Sequence, residues 1–169
     1  MSLPAGYYKG EFEVESLPFL SGEIAAQVHE EGEAPSRIID INDLWFVDVD
    51  WTLTGSLQRF ICGTWDVDVY LESIGRGPEM ELPDEDYEAI PVNAKDGHYH
   101  VTIPVKAGFI KTHVESWREE RKERGLLPER EADIVYKMVA TVTYKDQYGT
   151  PGPIAGFVEF PVLQFYYAE

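Results

Sequence analysis

The chain has 169 residues, 44% of them hydrophobic and 13% aromatic, so it carries enough apolar side chain for a buried core and is no disordered segment. Thirty-one Asp and Glu stand against 14 Lys and Arg, a formal net charge of −17. That charge repels phosphate and disfavours nucleic acid and anionic membrane surfaces as partners.

The length suits one domain spanning residues 1–169. No stretch approaches the roughly 18 consecutive apolar residues of a membrane helix, and Met1–Gly10 has neither a basic region nor an apolar run of the secretory kind. The single cysteine, Cys62, excludes an intramolecular disulfide and fits a reducing compartment. Together these features predict a cytoplasmic protein.

Tyr7–Val14 is the first strand candidate. Pro18–Ser36 reads as an acidic loop in which Ile24–Val28 forms at most a turn of helix. Strict alternation then sets in over Trp45–Leu53. Trp45, Val47, Val49, Trp51 and Leu53 share one face, and Phe46, Asp48, Asp50 and Thr52 the other, which marks a strand with one buried and one wet side. Leu57–Cys62, bracketed by Gly55-Ser56 and Gly63-Thr64, reads as a short strand or a crossing segment, with the Cys62 thiol buried. Trp65–Leu71 repeats the alternation, with Asp66, Asp68 and Tyr70 outward. Ser73–Ala94, rich in Gly, Pro and acids, reads as a second long loop.

Asp96-Gly97 is a strong turn signal that launches His98–Val105, where Pro104 marks an edge strand or a strand end. Val114–Arg124 is rich in helix formers and stops at Gly125, which predicts one short connecting helix. Ile134–Tyr144 is another strand. Asp146–Pro153 is a dense turn, and Ala155–Tyr167 completes a terminal hairpin with a bulge or edge position at Pro161. Seven or eight short strands separated by turn signals predict an all-β, single-domain antiparallel β-sandwich of immunoglobulin-like architecture.

Three groups of residues carry possible chemistry. Asp48 and Asp50 lie on one strand face and Asp66 and Asp68 on another; if the strands share a sheet, four carboxylates line one patch that a calcium ion would relieve of its repulsion. Otherwise they form solvated outer faces. His98 and His100, two apart on one strand face, suit a shared zinc with Asp96 or His113 as third ligand, or are simply exposed strand histidines. Among the aromatics, Trp45, Trp51 and Trp65 alternate with valines and belong in the core, while Tyr87, Tyr148, Tyr166 and Tyr167 are better placed for the surface. The tail Phe160–Tyr167 is apolar on both faces, so Phe165, Tyr166 and Tyr167 are buried between layers or meet a partner at a homodimer edge.

The chain contains no Walker loop, no G-x-G-x-x-G, no G-x-S-x-G and no H-E-x-x-H motif, and nothing in it calls for a cofactor. The sequence therefore predicts a non-catalytic β-sandwich that works through protein contacts, either as a homo-oligomer or with a basic partner; the acidic surface favours a basic protein or a basic patch on another subunit. A calcium- or carbohydrate-binding module and an enzyme using His98, His100 or His113 are the rival readings.

Overall fold

The structure, a computed structural model, describes residues 6–15, 17–83, 87–126 and 134–168. Two β-sheets pack face to face as a sandwich. The first holds β1 (Tyr8–Lys9), β3 (Ser21–Glu30), β5 (Trp45–Thr54) and β9 (His98–Val105) in the order β1-β3-β5-β9. The second runs β2 (Glu11–Val14), β11 (Pro151–Tyr166), β10 (Val135–Lys145), β6 (Thr64–Ser73) and β7 (Met80–Glu81), with β4 (Ile38–Asp40) beside β11 and β8 (Ile90–Pro91) beside β6. Every pairing is antiparallel except β4 with β11.

Period-two patterning explains which face closes the core. Trp45, Val47, Val49, Trp51 and Leu53 point inward from β5 and meet Trp65, Val67, Val69 and Leu71 from β6, all buried. Rings from the two sheets interlock: Tyr8 packs on Phe160, and Trp51 lies 6.0 Å from Trp65 and Trp45 5.4 Å from Phe165, the last two within the range in which aromatic pairs attract beyond simple burial. The three strand tryptophans are core residues, as their alternation predicts.

The N-terminal strand candidate breaks in two at Gly10. Its N–H bonds to the Ile24 carbonyl of the first sheet, while its Cα lies against the backbone of Phe157 in the second. A side chain there would collide with that backbone, so glycine lets the chain step from one sheet to the other.

Several expectations are corrected. Pro18–Ser36 is largely the ten-residue strand β3, not a loop. Ala25 and Ala26 are both fully buried there, and adjacent buried alanines hide the alternation that marks the other strands. Leu57–Cys62 is no strand: Gly55 and Gly63 both take positive φ, a single 3-10 turn covers Gln58–Phe60, and Cys62 is exposed. Ser73–Ala94 carries the two short strands β7 and β8. The helix α1 (Phe109–Glu123) starts five residues early, behind Gly108 with no side-chain cap to announce it. Ile110 and Val114 anchor α1 in the core, and the Arg121 guanidinium sits 4.4 Å over the Trp117 ring.

The terminal hairpin forms, but β11 begins at Pro151, within the segment Asp146–Pro153 expected to be all turn, since proline is tolerated as the first residue of a strand. Its register slips between the pairs Tyr136–Leu163 and Met138–Phe160, which puts the extra residue of a bulge beside Pro161. His98–Val105 is the edge strand β9 of its sheet, and the Tyr87 hydroxyl donates to the Thr102 carbonyl there (2.8 Å).

Candidate functional site

The outer face of the first sheet carries a network of histidine and aspartate. The register sets Asp48 between Gln27 of β3 and Thr102 of β9, and Asp50 between Ala25 and His100. Because all of these alternate with core residues, one strand period buries the valines and gathers the polar groups. Asp48 is nearly buried, at 8% side-chain exposure. Its Oδ1 accepts from the Thr102 hydroxyl (2.6 Å), and its Oδ2 accepts from the Gln27 amide (2.8 Å) and faces His29 Nε2 (3.0 Å). Asp50 takes His98 Nε2 at 3.2 Å and His100 Nδ1 at 2.9 Å. Burial, followed by a hydrogen bond to Asp50 and the charges of Asp50 and Asp48, pushes the Tyr7 phenol above its ordinary pKa.

The rings are pinned on both sides. His29 Nδ1 donates to the Glu30 carbonyl (2.9 Å), and His29 stacks on Phe46 at 5.2 Å. His100 Nε2 lies 3.1 Å from the Thr102 hydroxyl, whose proton is already given to Asp48. Thr102, His100 and Asp50 thus share the connectivity of a nucleophile, base and acid, but the hydroxyl proton points away from the base. The face is a saturated hydrogen-bond network in which each carboxylate is matched by donors.

Sequence reasoning paired these residues differently. Asp48 and Asp50 lie on the outer face of one sheet, and Asp66 and Asp68 on the outer face of the other, so the sandwich core separates the two pairs. His98 and His100 do share a face, but Asp50 stands between them. His113 bonds its own helix at the Phe109 carbonyl (2.8 Å), and Asp96 is exposed in its turn, where its N–H bonds to Asn93 Oδ1 (3.3 Å). Among the described residues, no three His, Cys, Asp or Glu side chains are grouped to hold a metal ion. Phe165 is buried against Trp45 and Tyr136, which corrects its assignment to an interface; Tyr166 and Tyr167 remain on the surface. His29 and Gln27 join the site from β3, whose adjacent buried Ala25 and Ala26 hide the strand's alternation in the sequence.

The second sheet turns a different face outward. Glu11, Phe157, Thr141 and Asp68 form one cross-strand row, and Glu159, Val139, Tyr70 and Glu81 the next. Glu13, Ala155, Thr143 and Asp66 form a row on the other side of the first, and the pair Lys137 and Glu72 lies beyond the row of Val139 and Tyr70. Lys145 binds Asp66, and Lys137 bridges Glu72 (3.0 Å) and Glu159 (3.6 Å). Burial alone would raise the Asp66 carboxyl, but hydrogen bonds from Lys145 and the Ala89 N–H outweigh it and hold the group below its usual range.

A third surface lies at one end of the sandwich. There the residue 17–20 loop, the residue 55–63 loop and the 146–150 turn lie beside the strand ends where Ser21 pairs Thr54 and Thr64 pairs Lys145. Gly55 packs against the Phe19 backbone, and Gly63 against Lys145 and Asp146. Three aromatic rings stand at these tips: Phe19 (73% exposed), Phe60 (78%) and Tyr148 (83%). Phe19 holds a left-handed backbone at φ 67°, uncommon for a bulky residue. Tyr148 is presented by a tight turn in which Asp146 Oδ1 accepts from the N–H groups of Tyr148 (2.9 Å) and Thr150 (3.0 Å). Beneath them, Trp51, Trp65, Tyr99 and Tyr144 pack ring against ring.

Protein-family models, curated protein sequences and solved structures offer no match to this chain. Among the described residues, no helix is long and apolar enough to cross a membrane. The functional reading therefore rests on the surfaces themselves.

Proposed function

We propose that this β-sandwich is a non-catalytic binding module that engages a protein partner through the loops at one end. The observation that carries this is the trio Phe19, Phe60 and Tyr148, each more than 70% exposed and each on a loop braced by neighbouring strands. Exposed aromatics on a rigid scaffold are the residues that anchor interfaces, because they bury much area at little conformational cost. The left-handed backbone at Phe19 supports the same reading, since strain of this kind is retained where function requires a side chain in a particular place. The exposed single thiol of Cys62 fits a reducing, cytoplasmic setting.

A photoreactive phenylalanine analogue at position 60 tests this in the native host. A discrete adduct that disappears when Phe19 and Tyr148 are changed to serine supports the module. Adducts spread over many proteins and indifferent to those changes would count against it, as would turnover of an ester, phosphate or glycoside at enzyme-like rates by the purified protein.

A further inference from the structure

We infer that the outer face of the second sheet, formed by β2, β11, β10 and β6, is a separate docking surface for a protein segment rich in lysine or arginine. This rests on the reading of the protein as a contact module, but it uses a surface different from the loop end. Phe157 and Tyr70 stand on this face at 40% and 39% exposure, an apolar patch on an open sheet. Among the described residues of these strands, seven acids share the face with two lysines, and both lysines are bound to acids of the same face. Glu11, Glu13 and Glu81 are exposed at its margins.

An apolar centre with a charged rim is the anatomy of a protein interface, and the sign of the rim selects the partner. Glu11 and Glu159, and Asp68 and Glu81, are diagonal neighbours on paired strands, so a cationic segment laid across them sets its charges against both members of each pair. A second copy of this chain is the wrong occupant, because the same acidic face would meet itself. Nucleic acid is repelled for the same reason.

The test is titration of the full-length protein with a synthetic peptide alternating lysine and valine, followed by amide NMR shifts and by affinity at low and physiological salt. Shifts should gather on β6, β10 and β11, and the affinity should fall as salt rises. Glu11→Gln with Glu159→Gln should weaken binding roughly tenfold, since two exposed charge pairs are lost. Glu119→Gln with Glu123→Gln, which removes the same charge from α1, should leave binding unchanged. Phe157→Ser should also weaken it several-fold, with the fold checked by its spectrum. If the two charge-matched pairs weaken binding equally, or if shifts scatter over the whole acidic surface, the peptide is only reading the net charge and the docking face is refuted. The position-60 adduct is scored on the same variants. Its persistence in Glu11→Gln with Glu159→Gln shows that failure here leaves the loop-end reading standing.

Discussion

Replacing Asp48 by alanine removes the acceptor at the centre of the histidine–aspartate network. Three donors lose their partner: the Thr102 hydroxyl at 2.6 Å, the Gln27 amide at 2.8 Å and His29 Nε2 at 3.0 Å. A hydrogen bond to a charged group contributes about 1.5–3 kcal/mol. The contributions do not add in full, because His29 is 22% exposed and the freed donors can find water. The expected loss is therefore about 3 kcal/mol. For a chain of this size each kcal/mol moves Tm by about 2–4 °C, so Tm should fall by about 6–12 °C. Asp50→Ala is the internal control. Its histidine partners are 43% and 46% exposed, and such pairs contribute about 0–1 kcal/mol, so even with the Tyr7 hydrogen bond its loss should stay below that of Asp48→Ala. Urea unfolding followed by tryptophan fluorescence measures both variants. If Asp48→Ala costs less than about 1 kcal/mol, or no more than Asp50→Ala, burial does not set the strength of this network and the reasoning fails.

Three further outcomes follow from the same physics. Burial pushes the Tyr136 phenol up to about 12, and among the described residues its hydroxyl has no hydrogen-bond partner, so Tyr136→Phe should be neutral or stabilising. Because the folded value lies above the unfolded one near 10, the wild type should lose stability as pH rises from about 10 towards 12, and the variant should lose less; equal alkaline losses by circular dichroism would contradict this. The Asp66 carboxyl is held low, so its contribution is complete above its unfolded value and disappears as pH falls through the folded one; Lys145→Met should flatten that acid-side slope, and an unchanged slope would remove Lys145 as its source. Phe19→Gly relieves a left-handed backbone and should raise stability by up to about 1 kcal/mol, while a loss larger than that would show that the ring is packed for structure rather than exposed for contact.

What the sequence made legible depended on how each strand meets the core. Strands with one wet face, such as Trp45–Thr54 and Thr64–Ser73, alternate so clearly that inward and outward residues are read without coordinates. The strand Ser21–Glu30 was not legible, because burial of adjacent alanines in the middle of a sheet leaves no period to find. That omission carried through to the site. His29 and Gln27 complete the shell around Asp48, and no spacing in the sequence links them to it. The two aspartate pairs were correctly read as outward, yet alternation fixes only a side of a strand. Which sheet each strand joins depends on pairing between residues far apart, and the core came to lie between the pairs. Tyr148 was legible as a surface ring from its turn. Phe19 and Phe60 were not, since the first lay in a stretch read as loop with no sign of its conformation and the second in a supposed strand.

The most direct test of the contact reading measures stability and partner affinity together on one variant, Phe19→Ser with Phe60→Ser and Tyr148→Ser. The three rings are each more than 70% exposed, so they contribute little to the core and should matter mainly to binding. The account predicts a Tm unchanged or slightly raised and an affinity for the crosslinked partner at least tenfold weaker, as expected when anchor residues are removed. A Tm lowered by several degrees with affinity intact would place these rings in the structure rather than the function, and would contradict the central claim.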